Sequence, residues 1–276
     1  MTQPPVPPTK PLRGPHDLGE IVGYSYRLYL RDFVPLFLMA LLTAPLQLLS
    51  GVISQSTDSE AAQLAAQYLL FPQVFVSLIV AGALIHATHV ITGGERPSFN
   101  ASLDAAFERF GPIFRTALLL FGLAFASVLA GPFLGIYWLF KKQATIDGRR
   151  DWWLGWIPFA LTMYLAIRWG FQTQAVMIER KENWAALDDS AEAVRGQWWR
   201  VLGIMLVVSL IVVGPTALAT AAEEVLSPLA SSAIISGVSA LVTPFVVIAQ
   251  TLLYYDLKSR PRTAAVAPRP DEETAP

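Results

Sequence analysis

Cysteine is absent from the 276 residues, which excludes disulfides, thiolate metal sites and cysteine nucleophiles. Charge is scarce as well, with 15% Asp, Glu, Lys and Arg against about 25% in an average soluble domain. The net charge of −1 gives no basic excess to attract nucleic acid. Only three histidines occur. His86 and His89 are three apart, so they share a helical face and could supply two metal ligands. No third ligand is near, since His16 lies in a tail, and packing or interfacial histidines are the simpler reading. No zinc-protease HExxH, nucleophile elbow, P-loop or glycine-rich dinucleotide turn is present. No cofactor or metal is expected.

What is abundant is apolar sequence, at 54% of the chain and gathered into blocks. Six blocks are long enough to cross about 30 Å of hydrocarbon as helices: Phe33–Ile53, Leu69–Ile91, Thr116–Phe140, Trp152–Ile178, Val201–Ala222 and Leu229–Tyr255. Each contains a proline (Pro45, Pro72, Pro132, Pro158, Pro215, Pro244), which membrane helices tolerate where neighbours satisfy the freed carbonyls. The expected fold is all-α, a polytopic membrane bundle over residues 17–260 between tails at 1–16 and 261–276. The proline-rich beginning has no apolar core and does not read as a signal peptide.

With both termini cytoplasmic, the inner segments hold 15 of the 20 basic residues, as the positive-inside rule asks. The loop bearing Lys141, Lys142, Arg149 and Arg150 dissents by falling outside, whereas Glu223 and Glu224 read as solvated in a short outer loop. Aromatic residues gather at the interfaces: Tyr137, Trp138, Trp152, Trp153 and Trp156 outside, Trp198, Trp199, Tyr254 and Tyr255 inside.

Three inner segments look alike, about 80–85 residues apart. Each is a short amphipathic helix leading into a membrane hairpin. The first has Leu18, Ile21, Val22 and Tyr29 on its apolar face. The second has Phe99, Leu103, Phe107 and Phe110. The third has Trp184, Leu187, Ala191, Val194 and Trp198, with Asp188, Asp189, Glu192 and Arg195 opposite. Asp17, Ser98 and Asn183 suit their N-caps. Arg31, Arg109 and Arg195 precede the following spans, whose first helices carry Ala44–Pro45, Gly131–Pro132 and Gly214–Pro215. Interfacial helices with basic flanks are also what any in-out hairpin protein needs, so the repeat has that plainer explanation beside it.

Arg168 is the candidate site. In a continuous fourth span it would lie about 16 Å from the inner boundary, near mid-membrane. Tyr164, Arg168 and Gln172 follow at i, i+4 and i+8, giving one polar stripe. No Asp or Glu lies in any predicted span, so the guanidinium must meet Gln47, Gln73, Gln250, kink carbonyls, water or an anionic ligand. A lipid phosphate suits bidentate guanidinium binding. The competing reading is structural, an arginine that snorkels or ties helices together.

The stretches IVGYSYRLYLRDFVPLF, LAIRWGFQTQAVMIERKENWAALDDSAEAVRGQWWRVLG and TLLYYDLKSR resemble the membrane domain of prokaryotic glycerophosphoryl diester phosphodiesterases and its stand-alone bacterial relatives. The shared features are Arg168–Trp169, Glu179, Ala186–Leu187 with Ser190, Arg195 with Trp198–Trp199, and Leu253–Lys258. In that family the phosphodiesterase chemistry belongs to a separate soluble barrel with a His-Arg motif. No histidine here is followed by arginine, and 276 residues leave no room beside the spans for a barrel of about 250. The resemblance therefore implies a bacterial cell-membrane protein without that activity. The expectation is a non-enzymatic membrane module that binds membrane lipids or organises other membrane proteins. A small permease for an anionic or lipid-like solute is the alternative. The topology has a direct test in this cysteine-free chain: Thr145→Cys is expected to react with an impermeant thiol reagent in intact cells, and protection until lysis would overturn it.

Overall fold

The computed structural model describes residues 17–56, 60–123, 125, 156–221 and 226–260. The chain is an all-α membrane helix bundle, with no strand among these residues. In chain order the helices are α1 (Leu18–Arg31), α2 (Phe33–Leu41), α3 (Ala44–Ser56), α4 (Glu60–Tyr68), α5 (Leu70–Thr92), α6 (Phe99–Glu108), α7 (Phe110–Leu123), α8 (Trp156–Arg168), α9 (Gln172–Ile178), α10 (Asn183–Val194), α11 (Trp198–Ala221) and α12 (Pro228–Ser259).

Among the described residues, three helices are long and apolar enough to cross a membrane by themselves: Ala66–Thr92, Trp198–Ala221 and Pro228–Ser259. A fourth crossing forms if α2 and α3, bent by 43° at a short break, make one broken span. These four match predicted spans one, two, five and six. Predicted span three starts earlier than expected, within α7, and its remainder lies outside the described residues, as do Pro132, the Lys141–Arg150 loop, Glu223, Glu224 and both tails.

Predicted span four needs correcting. It is two helices, α8 and α9, separated at Trp169–Phe171. Hydropathy registers the apolar composition of both pieces but not the backbone between them. In the break the bonds shorten to i→i+3, with Gly170 N–H reaching Ile167 O at 3.4 Å and Gln172 N–H reaching Trp169 O at 3.2 Å.

The prolines sit where their missing N–H does least harm. Pro45 and Pro72 fall in first turns, whose N–H groups have no intrahelical acceptor. Pro215 and Pro244 interrupt α11 and α12. At the second, the Tyr29 hydroxyl donates to Leu241 O at 2.7 Å, in the turn that Pro244 disturbs.

The three amphipathic helices are α1, α6 and α10. Arg31 closes the first, and Arg109 and Arg195 occupy the C-caps of the others, where cations complement the helix dipole. Their buried faces differ in detail from the sequence pattern. Phe107 and Trp184 are exposed, whereas Ser102, Asp189 and Ser190 are buried. The cap of α10 is Glu182 rather than Asn183, and the Asn183 N–H donates to Thr116 Oγ1 of α7 at 3.0 Å.

α12 is the axis of the bundle, in contact with α1, α2, α3, α5, α10 and α11. Near its start it approaches α3 closely enough that a Cβ on Gly51 would stand 2.6 Å from Ser232 Oγ and 3.1 Å from its Cβ, so any larger residue there would force Ser232 to shift. Near its end, residues 251–257 are all buried, polar ones included. A helix buried on every side needs its polar groups matched, and the functional geometry grows from that matching.

Candidate functional site

Ser190 of α10 repairs the α8–α9 break. Its hydroxyl donates to Arg168 O at 3.0 Å and accepts from Phe171 N–H at 3.1 Å. Two backbone groups that a continuous helix would have paired internally are thus satisfied from a neighbour. Phe171 itself is buried and lies with its ring centroid 6.0 Å from that of Tyr254. The break is therefore fastened to α10 and α12 together.

Next to Ser190, Asp189 is only 1% exposed in its side chain. Three donors converge on it: Tyr254 OH at 2.6 Å, Lys258 Nζ at 2.7 Å and Lys181 Nζ. Burial acts to raise this carboxyl, but hydrogen bonds from Lys181, Lys258 and Tyr254 outweigh it and hold the group below the ordinary value of 3.8. Lys181 is held above its ordinary 10.5, chiefly by its hydrogen bond to Asp189. The backbone aims this lysine: Arg180 adopts a left-handed φ of 58°, and Lys181 N–H closes on Ala175 O at 3.3 Å.

A second carboxylate, Asp256, is fully buried and is gripped by Arg200 Nη2 at 3.0 Å and by Arg260 through Nη2 at 3.0 Å and Nε at 3.1 Å. Removing one partner from a buried ion pair costs about 3–5 kcal/mol, because the remaining charge is stranded away from water. The end of α12 thus carries two opposite polarities about half a turn apart, Asp256 as acceptor and Lys258 as donor, each locked to a different helix.

Between the end of α8 and the outer side of α10 lies a cleft of about 360 Å³. Its charged lining is Arg168, Lys181, Asp188, Asp189, Glu192 and Arg195. Arg168 Nη1 donates to Tyr164 OH at 3.1 Å, and its Nε is buried without a partner. The expected stripe is therefore only half assembled. Tyr164 and Arg168 meet, but Gln172 opens α9 beyond the break, does not line the cleft, and has an unpartnered Oε1. The depth calculated for a straight span does not apply, because α8 ends at Arg168 and the guanidinium opens onto a polar cleft beside an acidic helix. None of the three glutamines considered reaches it. Gln250 Nε2 faces Met205 Sδ at 4.0 Å, and the Oε1 atoms of Gln47 and Gln73 have no partner.

The two histidines bond separately, His86 Nδ1 with Ser102 Oγ at 3.4 Å and His89 Nδ1 with Tyr255 OH at 2.5 Å. No family model, curated protein or solved structure matches the chain.

Asp189, Ser190, Tyr254 and Asp256 are the residues that sequence reasoning missed as site-builders, although the stretches holding them had been singled out. Their signal was acidic or hydroxyl residues adjoining apolar positions at the ends of two segments, with basic residues near both. Tyr254→Phe removes one hydrogen bond to a buried carboxylate and is expected to lower stability by about 1.5–3 kcal/mol in detergent unfolding. The Asp189 carboxyl titrates lower folded than unfolded, so its stabilisation is complete above about 3.8 and is lost as pH falls from there through the folded value. Thermal unfolding followed downward from about pH 6 is expected to show this acid limb, and Asp189→Asn to remove it.

Proposed function

We propose that this chain is a non-enzymatic, multi-pass protein of the cell membrane, with both termini cytoplasmic, that binds the phosphate of a membrane lipid in the Arg168 cleft. The observation that carries the reading is the buried, unpartnered Nε of Arg168 in a cleft whose other guanidinium, Arg195, makes no side-chain bond among the described residues. A half-buried guanidinium with an unpartnered N–H is matched best by an oxyanion, and phosphate accepts its N–H groups two at a time.

The surroundings support headgroup depth. Trp184 is 59% exposed and Trp199 79%, and the Tyr164 ring stacks beside Trp198 at 6.1 Å. Aromatic residues of this kind collect where hydrocarbon meets water. Exposed apolar residues on α8, including Leu161 and Met163, give acyl chains a surface beside the same cleft. Among the described residues that line the cleft none carries a hydroxyl, thiol or imidazole group, which favours binding over nucleophilic chemistry. Organisation of other membrane proteins would then act through the exposed faces of the amphipathic helices.

Native mass spectrometry of protein released from nanodiscs tests the reading. Wild type is expected to retain a phospholipid that Arg168→Gln loses. Equal retention by both would make Arg168 structural and overturn the assignment.

A further inference from the structure

The geometry points to a zwitterionic headgroup, a phosphate joined to an ammonium group, as the ligand of the Arg168 cleft. The inference rests on the lipid-phosphate reading above and adds the class of lipid.

The charges of the cleft fall into two groups. Asp189 is already matched by Lys181, Lys258 and Tyr254, so it and Lys181 belong to the folded framework. The remaining wall carries Arg168 and Arg195 as cations and Asp188 as an anion, beside Glu192, which has an interaction of its own within the protein. Arg168, Arg195 and Asp188 form no ion pair among the described residues, even though they line one cleft. Opposite charges that share a cavity without meeting leave room for a ligand carrying both signs.

Their order along the wall gives the ligand a direction. Asp188 precedes Arg195 by seven residues on α10, about 10 Å of helix, and Arg168 enters from the end of α8. Two guanidinium groups make a pole for phosphate. Asp188 makes a pole for the ammonium. Trp184 lies four residues before Asp188, hence one turn away on the same side of α10, and is exposed. An indole face beside a carboxylate is a favourable setting for an alkylammonium ion. A headgroup with phosphate alone would gain from the guanidinium groups but meet repulsion from Asp188 and Glu192 in the same 360 Å³. Opposed wall charges therefore act as a filter against purely anionic lipids.

The test uses full-length protein in nanodiscs containing equal amounts of phosphatidylethanolamine, phosphatidylcholine and phosphatidylglycerol, with retained lipid read by native mass spectrometry. Wild type is expected to retain the two zwitterionic lipids over phosphatidylglycerol. Asp188→Asn, at an exposed position whose side chain makes no bond among the described residues, is expected to shift that preference toward phosphatidylglycerol by roughly tenfold, as loss of one charge-assisted contact implies. Phosphatidylglycerol retained as strongly as the others by wild type, or an Asp188→Asn preference equal to wild type, would overturn the zwitterion inference. If retention still disappears in Arg168→Gln, the phosphate reading survives that failure. Loss of Arg168-dependence for every lipid would instead overturn the reading beneath it. Soluble phosphoethanolamine at the same total concentration as the lipid separates the sources: lipid retained in preference to it supports the lipid, and replacement of the lipid by the soluble compound would overturn the lipid as the source of this chemistry.

Discussion

Asp189 has left water almost completely, and an ionised carboxylate can do so only where donors replace its hydration. Those donors come from the α9–α10 turn and from the last turns of α12. The carboxylate therefore decides how α10 lies against α12, since any other placement strands one charge. A purely apolar contact between the same helices would be less selective, because dispersion and hydrophobic burial tolerate sliding. Here the register is set by directional bonds of 2.6–2.7 Å from Tyr254 and Lys258.

The consequence reaches the cleft through one peptide bond. With Asp189 held, Ser190 faces the backbone break and satisfies Arg168 O and Phe171 N–H. With the break satisfied, α8 can end at Arg168, and its guanidinium is delivered to a wall of α10 side chains. Asp256 adds a second anchor two residues before Lys258, drawing α11 to α12 through Arg200. Burying charge has no net advantage for stability over a well-packed apolar core. It does give a unique arrangement, and a cleft whose walls come from two helices needs one.

Much of the architecture is legible in the sequence, because hydropathy and loop charge report the medium around each segment. Four of the six predicted crossings correspond to described helices or to the bent α2–α3 pair, and the three amphipathic helices are present. Arg168 is conspicuous for the same reason, as a lone cation in an apolar block. Its setting was not legible. A break at Trp169–Phe171 changes the backbone without changing the apolar character that hydropathy measures. Asp189 is instructive in another way. Helical periodicity puts it with Asp188 and Glu192, but the boundary of a buried face is set by the neighbour, and that neighbour lies 65 residues away at Tyr254. Local pattern says which residues share a side of a helix; it does not say which helix will cover them.

The most direct test of the Asp189 clamp is a double-mutant cycle joining Asp189→Asn and Lys258→Met, followed by chemical unfolding in detergent. If the carboxylate binds α10 to α12 as described, the two changes are non-additive, with a coupling of about 0.5–3 kcal/mol. Additivity within about 0.3–0.5 kcal/mol would mean that the two side chains act independently, and would contradict the clamp on which the cleft depends.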